Sequence, residues 1–78
     1  MGRTDQPLAV ARTFGARLRA LRRERGWSLE RLAEEAGLHW TYVGSVERGE
    51  RNISLLNIVR LAAAVGADPA DLVRDLKP

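Results

Sequence analysis

The sequence predicts an all-α fold, a compact five-helix domain. Three observations carry that expectation. Apolar residues recur at helical steps of three and four in segment after segment, no segment alternates apolar and polar residues as a half-buried strand would, and Gly, Ser or Asp-Pro punctuation separates the segments. A chain of 78 residues with 45% hydrophobic and 29% charged side chains suits one small domain. With no cysteine and one histidine, neither a disulfide framework nor a metal staple is expected. Short helices or self-association must compensate for a thin core.

The first helix opens at Pro7, a residue suited to a first turn, and carries Val10, Phe14, Leu18 and Leu21 on one face as far as Arg25, before Gly26 stops it. Gly15 lies inside it at a cost of about 1 kcal/mol relative to Ala, so either the first turns are loose or another element packs closely there. Residues 1–7 read as a flexible segment and 8–78 as the domain.

A second helix of about two turns follows. Trp27 precedes Ser28, a good N-cap, and Leu29, Leu32, Ala33 and Ala36 form its stripe before Gly37 supplies a left-handed C-cap. The capping box is incomplete, because Arg31 stands where Glu or Gln would reach back. A third helix opens after Leu38, turns Val43 and Val46 inward and ends at Gly49. Small Ala33, flexible Gly37 and inward Val43 are what two short helices joined by a tight turn require.

Ser54 caps a fourth helix with Leu55, Ile58, Leu61, Ala62 and Val65 on its core face, closed by Gly66. Asp68-Pro69-Ala70-Asp71 then supplies the N-cap, first turn and N3 carboxylate of a fifth helix, with Leu72, Val73 and Leu76 behind it. The fourth helix carries a second apolar stripe, Leu56, Val59 and Ala63, beyond what one core face needs. Together with Leu72, Val73 and Leu76 this stripe predicts a homodimer interface within residues 54–76, the alternative being that the fifth helix covers it.

Charge divides unevenly along the chain. Residues 1–31 hold eight arginines against three acidic groups, a net of +5, while residues 32–78 hold five basic against seven acidic groups, a net of −2. Such asymmetry suits a polyanion approached by one side of the molecule, and equally a solvated helix face. The longest apolar run, Leu61 to Val65, is far too short to span a bilayer, and the start of the chain carries no secretory core, so a soluble, unexported, cytoplasmic protein with no membrane partner is expected. An enzyme is not expected. There is no cysteine, a single histidine provides no triad, no Gly-rich phosphate loop occurs, and adjacent Glu34 and Glu35 splay apart on a helix. No cofactor and no metal are expected, since His39 has no second ligand near it in sequence.

The segment from Gly26 to Gly49, GWSLERLAEEAGLHWTYVGSVERG, resembles the helix-turn-helix of the phage repressor and Cro-type family, with Leu32-Ala33, Gly37, Val43 and Glu47-Arg48-Gly49 at matching offsets. The following stretch Glu50 to Ile58 resembles more specifically the controller proteins of restriction-modification systems, through Thr41-Tyr42 and Arg51-Asn52. The resemblance covers residues 14–76 and places the helix-turn-helix at residues 28–48.

It implies that the second helix crosses a DNA backbone while the third lies in the major groove. With Val43 and Val46 inward, helical period turns Trp40, Thr41, Gly44, Ser45 and Arg48 outward. By resemblance, Trp40, Thr41 and Ser45 stand at base-reading positions, and Arg48, Arg51 and Asn52 where relatives place backbone and base contacts. Trp40 either packs on thymine methyls and sugars or folds back on the domain. Tyr42 either reaches the DNA through its hydroxyl or buries its ring, and His39 is read as a capping or phosphate-contacting group. Leu29, where relatives usually carry a phosphate-contacting Gln, is better read as core. Arg22 and Glu47 are expected to form a structural ion pair between the first and third helices.

The function implied is a dimeric, autoregulatory, sequence-specific regulator that binds a palindromic operator in double-stranded DNA. One dimer would activate, a second on the same operator would repress, and RNA polymerase is a candidate contact. The alternative is an antitoxin-like module that binds a protein partner and represses its own operon, although only residues 1 to about 9 and the last few are spare for such a partner.

Overall fold

The structure, a computed structural model, describes residues 6–78. Five helices follow one another: α1 Gln6–Glu24, α2 Leu29–Ala36, α3 Trp40–Glu47, α4 Leu55–Val65 and α5 Pro69–Val73. Among the described residues there is no strand, so the all-α expectation holds. Of the expected flexible segment, residues 1–5 lie outside the described residues, while positions 6 and 7 already belong to α1.

Side chains fix the helix starts. Ser28 Oγ accepts from the Arg31 amide at 3.0 Å, Ser54 Oγ from the Asn57 amide at 3.1 Å, and Asp68 Oδ1 from the Ala70 amide at 2.9 Å, each satisfying an N–H that has no intrahelical partner. Gly37 and Gly66 end α2 and α4 in the left-handed region, both at φ 71°. Two arginines finish the work at the C-terminal ends of α5 and α4. Arg17 Nη1 donates to the carbonyls of Leu72 and Arg74 at 3.2 and 2.7 Å, and Arg25 Nε donates to that of Val65 at 2.6 Å. The charge excess of the first helix is thus partly structural, tying α1 to α5 and its end to α4.

The core joins Phe14 and Leu18 of α1, Leu32 of α2, Val43 and Val46 of α3, Leu61 and Val65 of α4, and Leu72 of α5. α3 packs on α1 and α2, while α4 spans α1, α2 and α5. Gly15 is explained by close approach: a Cβ there would meet the Val46 carbonyl oxygen and lie 2.5 Å from that of Glu47. The C-terminal end of α3 therefore rests directly on the backbone of α1.

Two expectations are corrected. Leu72, assigned to a dimer surface, is 0% exposed and belongs to the core. α5 is five residues long and packs on α1 and α4, and Leu72 is its one buried side chain. Leu55, assigned to the core face of α4, is 77% exposed, whereas Ile58, half-buried, packs against the core as expected. As the first residue of α4, Leu55 precedes the turns that reach the core, where Leu61, Ala62 and Val65 are buried.

Candidate nucleic-acid interface

α3 is held from both ends. At its start His39 is the N-cap, its Nδ1 accepting from the Thr41 amide at 3.1 Å, with the Thr41 hydroxyl 2.7 Å away. At its end the Glu47 carboxylate, buried in the domain, takes two parallel bonds from Arg22, Nε to Oε2 at 2.7 Å and Nη2 to Oε1 at 2.9 Å. Arg22 Nη1 also donates to the Trp27 carbonyl at 2.9 Å, and Arg19 Nε lies 3.7 Å from Glu47 Oε1. The hydrogen bond from Arg22 to Glu47 raises the guanidinium above its ordinary pKa, outweighing the opposing effect of burial. One arginine thus locks α1, the α1–α2 turn and α3 into a single geometry.

Trp40 is 50% exposed, its ring stacked beside that of His39 with centroids 6.1 Å apart, and Thr41 is exposed next to it. Ser45 and Gly44 do not point outward as helical period suggested. Ser45 is only 5% exposed, its Oγ donating to the Tyr42 carbonyl at 2.7 Å and accepting from Arg51 Nε at 3.0 Å. Gly44 is buried against α2, where a Cβ would lie 3.1 Å from Leu29 Cδ2. The reason is that α3 is covered on two sides, by α1 and by α2, so its solvent face is narrower than that of a helix packed on one neighbour. Leu29 packs against the core, as expected of it.

What Ser45 loses as a direct reader it gains as a bracket for Arg51. The Arg51 guanidinium carbon sits 5.7 Å from the centre of the Tyr42 ring, so this loop arginine is drawn back onto α3. Tyr42 is half-buried, and its hydroxyl accepts from Asn57 Nδ2 of α4 at 3.1 Å. Asn52 is exposed beside Arg51. Arg48 is exposed and forked to Glu50, Nε to Oε2 at 3.1 Å and Nη2 to Oε1 at 3.2 Å. That hydrogen bond from Arg48 holds the Glu50 carboxyl below the usual carboxylate range.

The structure thus gathers Trp40, Thr41, Arg48, Arg51 and Asn52 around the exposed side of α3 and the turn after it. His39 caps that helix and Tyr42 and Ser45 support it from within. Sequence reasoning missed Glu50 and Asn57. An Arg-Gly-Glu turn gives some signal for the first, whereas the second bridges 15 positions and has none.

Beyond α3, Leu55, Leu56, Val59 and Val73 are exposed, as is Ala63. Val73 lines a groove of about 520 Å³ with Val10, Phe14, Ile53, Ile58 and Leu76, and Arg51 and Asn52 line it too. Leu76 is half-buried and lies beyond the end of α5.

A family model described as a helix-turn-helix domain matches residues 13–76. The chain belongs to the helix-turn-helix family. It is 44% identical over 61 residues to the control protein C.BamHI of Bacillus amyloliquefaciens, a match covering 77% of this chain and 75% of that one. It is 45% identical over 56 residues to the control protein C.SmaI of Serratia marcescens, covering 72% and 67%. Among solved structures, the restriction-modification controller protein C.AhdI from Aeromonas hydrophila superposes with a TM-score of 0.80 at 52% identity, covering 82% of this chain and 97% of that one. As a helix-turn-helix protein with these relatives, the chain is a DNA-binding transcription regulator, and double-stranded DNA is its partner. These relatives are DNA-binding regulators, not enzymes. No helix among the described residues is long and apolar enough to cross a membrane.

Proposed function

We propose that this regulator is a cytoplasmic controller of a restriction-modification system that binds a palindromic operator near its own promoter as a homodimer. The observation that carries this is the placement of Arg51 against α3 by Ser45 and Tyr42, which adds a cation to the helix whose N-terminal turn exposes Trp40 and Thr41. α3 enters the major groove by its N-terminal end, Trp40 packs on sugars and thymine methyls, and Thr41 meets a base edge. Arg48 and Asn52 take phosphates. None of the groove-facing side chains on α3 makes the bidentate pairing that strongly fixes a base, so Arg51 carries much of the direct readout and DNA shape the rest.

The dimer forms through Leu56, Val59, Ala63 and Val73, with Leu55 and Leu76 at its margin. Two dimers fill a complete operator, and the promoter-proximal one touches RNA polymerase. Fluorescence anisotropy with the DNA upstream of the gene and with a scrambled duplex, across a salt series, tests this reading. A preference of about a thousandfold for the upstream DNA at physiological salt is expected. Equal and steeply salt-dependent binding to both duplexes would reduce the site to a phosphate sensor and overturn it.

A further inference from the structure

Arg51 is a long side chain on an exposed loop, yet it does not extend freely into solvent. Its Nε is spent on Ser45 Oγ and its plane lies near the Tyr42 ring. Among the described residues neither Nη group donates to a protein oxygen, so the outer end of the fork stays available to a ligand. The orientation of that fork therefore depends on where the Tyr42 ring stands. The ring is fixed at its far end by Asn57, whose Nδ2 donates to the Tyr42 hydroxyl at 3.1 Å.

Asn57 is itself over-determined. Its amide is the N–H that Ser54 caps at 3.1 Å, and its Oδ1 accepts from Arg60 Nη1 at 3.3 Å. Because Oδ1 faces a group that only donates, Nδ2 is the atom turned towards Tyr42. The Tyr42 oxygen then acts as acceptor, which leaves its own hydrogen free to donate outward. A carboxylate in place of the amide would reverse that polarity.

We infer that Asn57 of α4 is a specificity-determining positioning residue, which acts through the Tyr42 ring to hold the Arg51 guanidinium at the DNA-reading face. The inference rests on the operator-binding reading above and adds a residue on α4 to it. It also gives the helix that carries Leu56 and Val59 a mechanical connection to the reading head, since Asn57 lies between them in sequence.

The test compares upstream and scrambled duplexes for the wild-type chain, Asn57→Ala, Asn57→Asp, Tyr42→Phe and the Asn57→Ala/Tyr42→Phe double variant, with thermal melting of each. Asn57→Ala is expected to lower the upstream-to-scrambled affinity ratio roughly fivefold to tenfold while scrambled binding stays within about twofold. Asn57→Asp, which consumes the Tyr42 hydrogen and adds a charge near Arg51, lowers the ratio further. In the Tyr42→Phe background Asn57→Ala changes the ratio by less than about twofold, because its route of action is already cut. A melting temperature unchanged by Asn57→Ala separates positioning from general loosening of the fold. A wild-type chain with no preference overturns the operator reading and this inference with it. A preference that survives Asn57→Ala, or an equal loss in the Tyr42→Phe background, overturns the inference alone.

Discussion

Glu50 is an acidic residue set among groups proposed to face DNA, and its position has a consequence for affinity. Its carboxylate occupies two donors of Arg48, so a phosphate reaching Arg48 must displace it or tolerate its charge. Glu50→Gln is expected to tighten binding to both duplexes roughly threefold to tenfold at low salt and to steepen the salt dependence by about one unit, as one more phosphate is neutralised. Unchanged affinity and slope would mean that Arg48 meets no phosphate. Protonation acts in the same direction as the substitution. Arg48, with a smaller contribution from Arg51, holds the folded Glu50 pKa below its unfolded value. The stability this pair contributes is therefore present above the ordinary carboxylate range and is lost only as pH falls through the depressed folded value. DNA affinity of the wild-type chain should accordingly show no Glu50-dependent gain between pH 7 and the ordinary carboxylate range, a gain appearing only below it.

At the scale of helices, the joint between α1 and α3 decides whether α3 has one orientation. Two devices make it: the bare backbone of Gly15 under the end of α3, and the fork from Arg22 to Glu47. Arg22→Ala removes the close partner of a buried carboxylate, a loss that ordinarily costs about 3 to 5 kcal/mol. Arg19, at 3.7 Å, remains to compensate in part. The lower end is therefore expected, about 3 kcal/mol, seen as a fall of roughly 12 to 24 °C in Tm for a domain of this size. A fall of only one or two degrees would show that the pair is solvated. The helices and their caps were legible in the sequence because capping is local: Ser28, Ser54 and Asp68 each act within three positions of themselves. Facing was less legible. Helical period alone turned Ser45 and Gly44 outward and Leu55 inward, because it assumes one buried side per helix. α3 has neighbours on two sides, and the first turn of α4 has none from the core. The Gly15 contact was readable as a choice between looseness and close packing, and only the placement of α3 decides it. The bond from Asn57 to Tyr42 depends on that same placement, which no local pattern encodes.

For the molecule as a whole the question is how one small domain achieves operator-scale specificity. Its principal extents are 38 × 24 × 20 Å and it presents a single α3, so on the proposed palindromic operator one copy would occupy one half-site. A palindrome needs a second α3 about 34 Å away, one turn of DNA, which only a second copy supplies. The apolar surface left on α4 and α5, Leu56 and Val59 with Val73, is suited to holding that copy. Leu56→Glu places a charge in the middle of this surface without touching the core, since Leu56 is exposed in the isolated domain. Melting of the variant should stay within a few degrees of wild type under conditions where both are monomeric. Sedimentation at tens of micromolar should change from dimer to monomer. The second half-site contact then ceases to be intramolecular, so operator affinity should fall roughly a hundredfold while scrambled binding changes little. The opposite pattern is equally informative. A wild-type chain that sediments as a monomer at that concentration, or a Leu56→Glu variant that remains a dimer, would remove the α4 face from the assembly and leave specificity to a single α3 and its bracketed arginine.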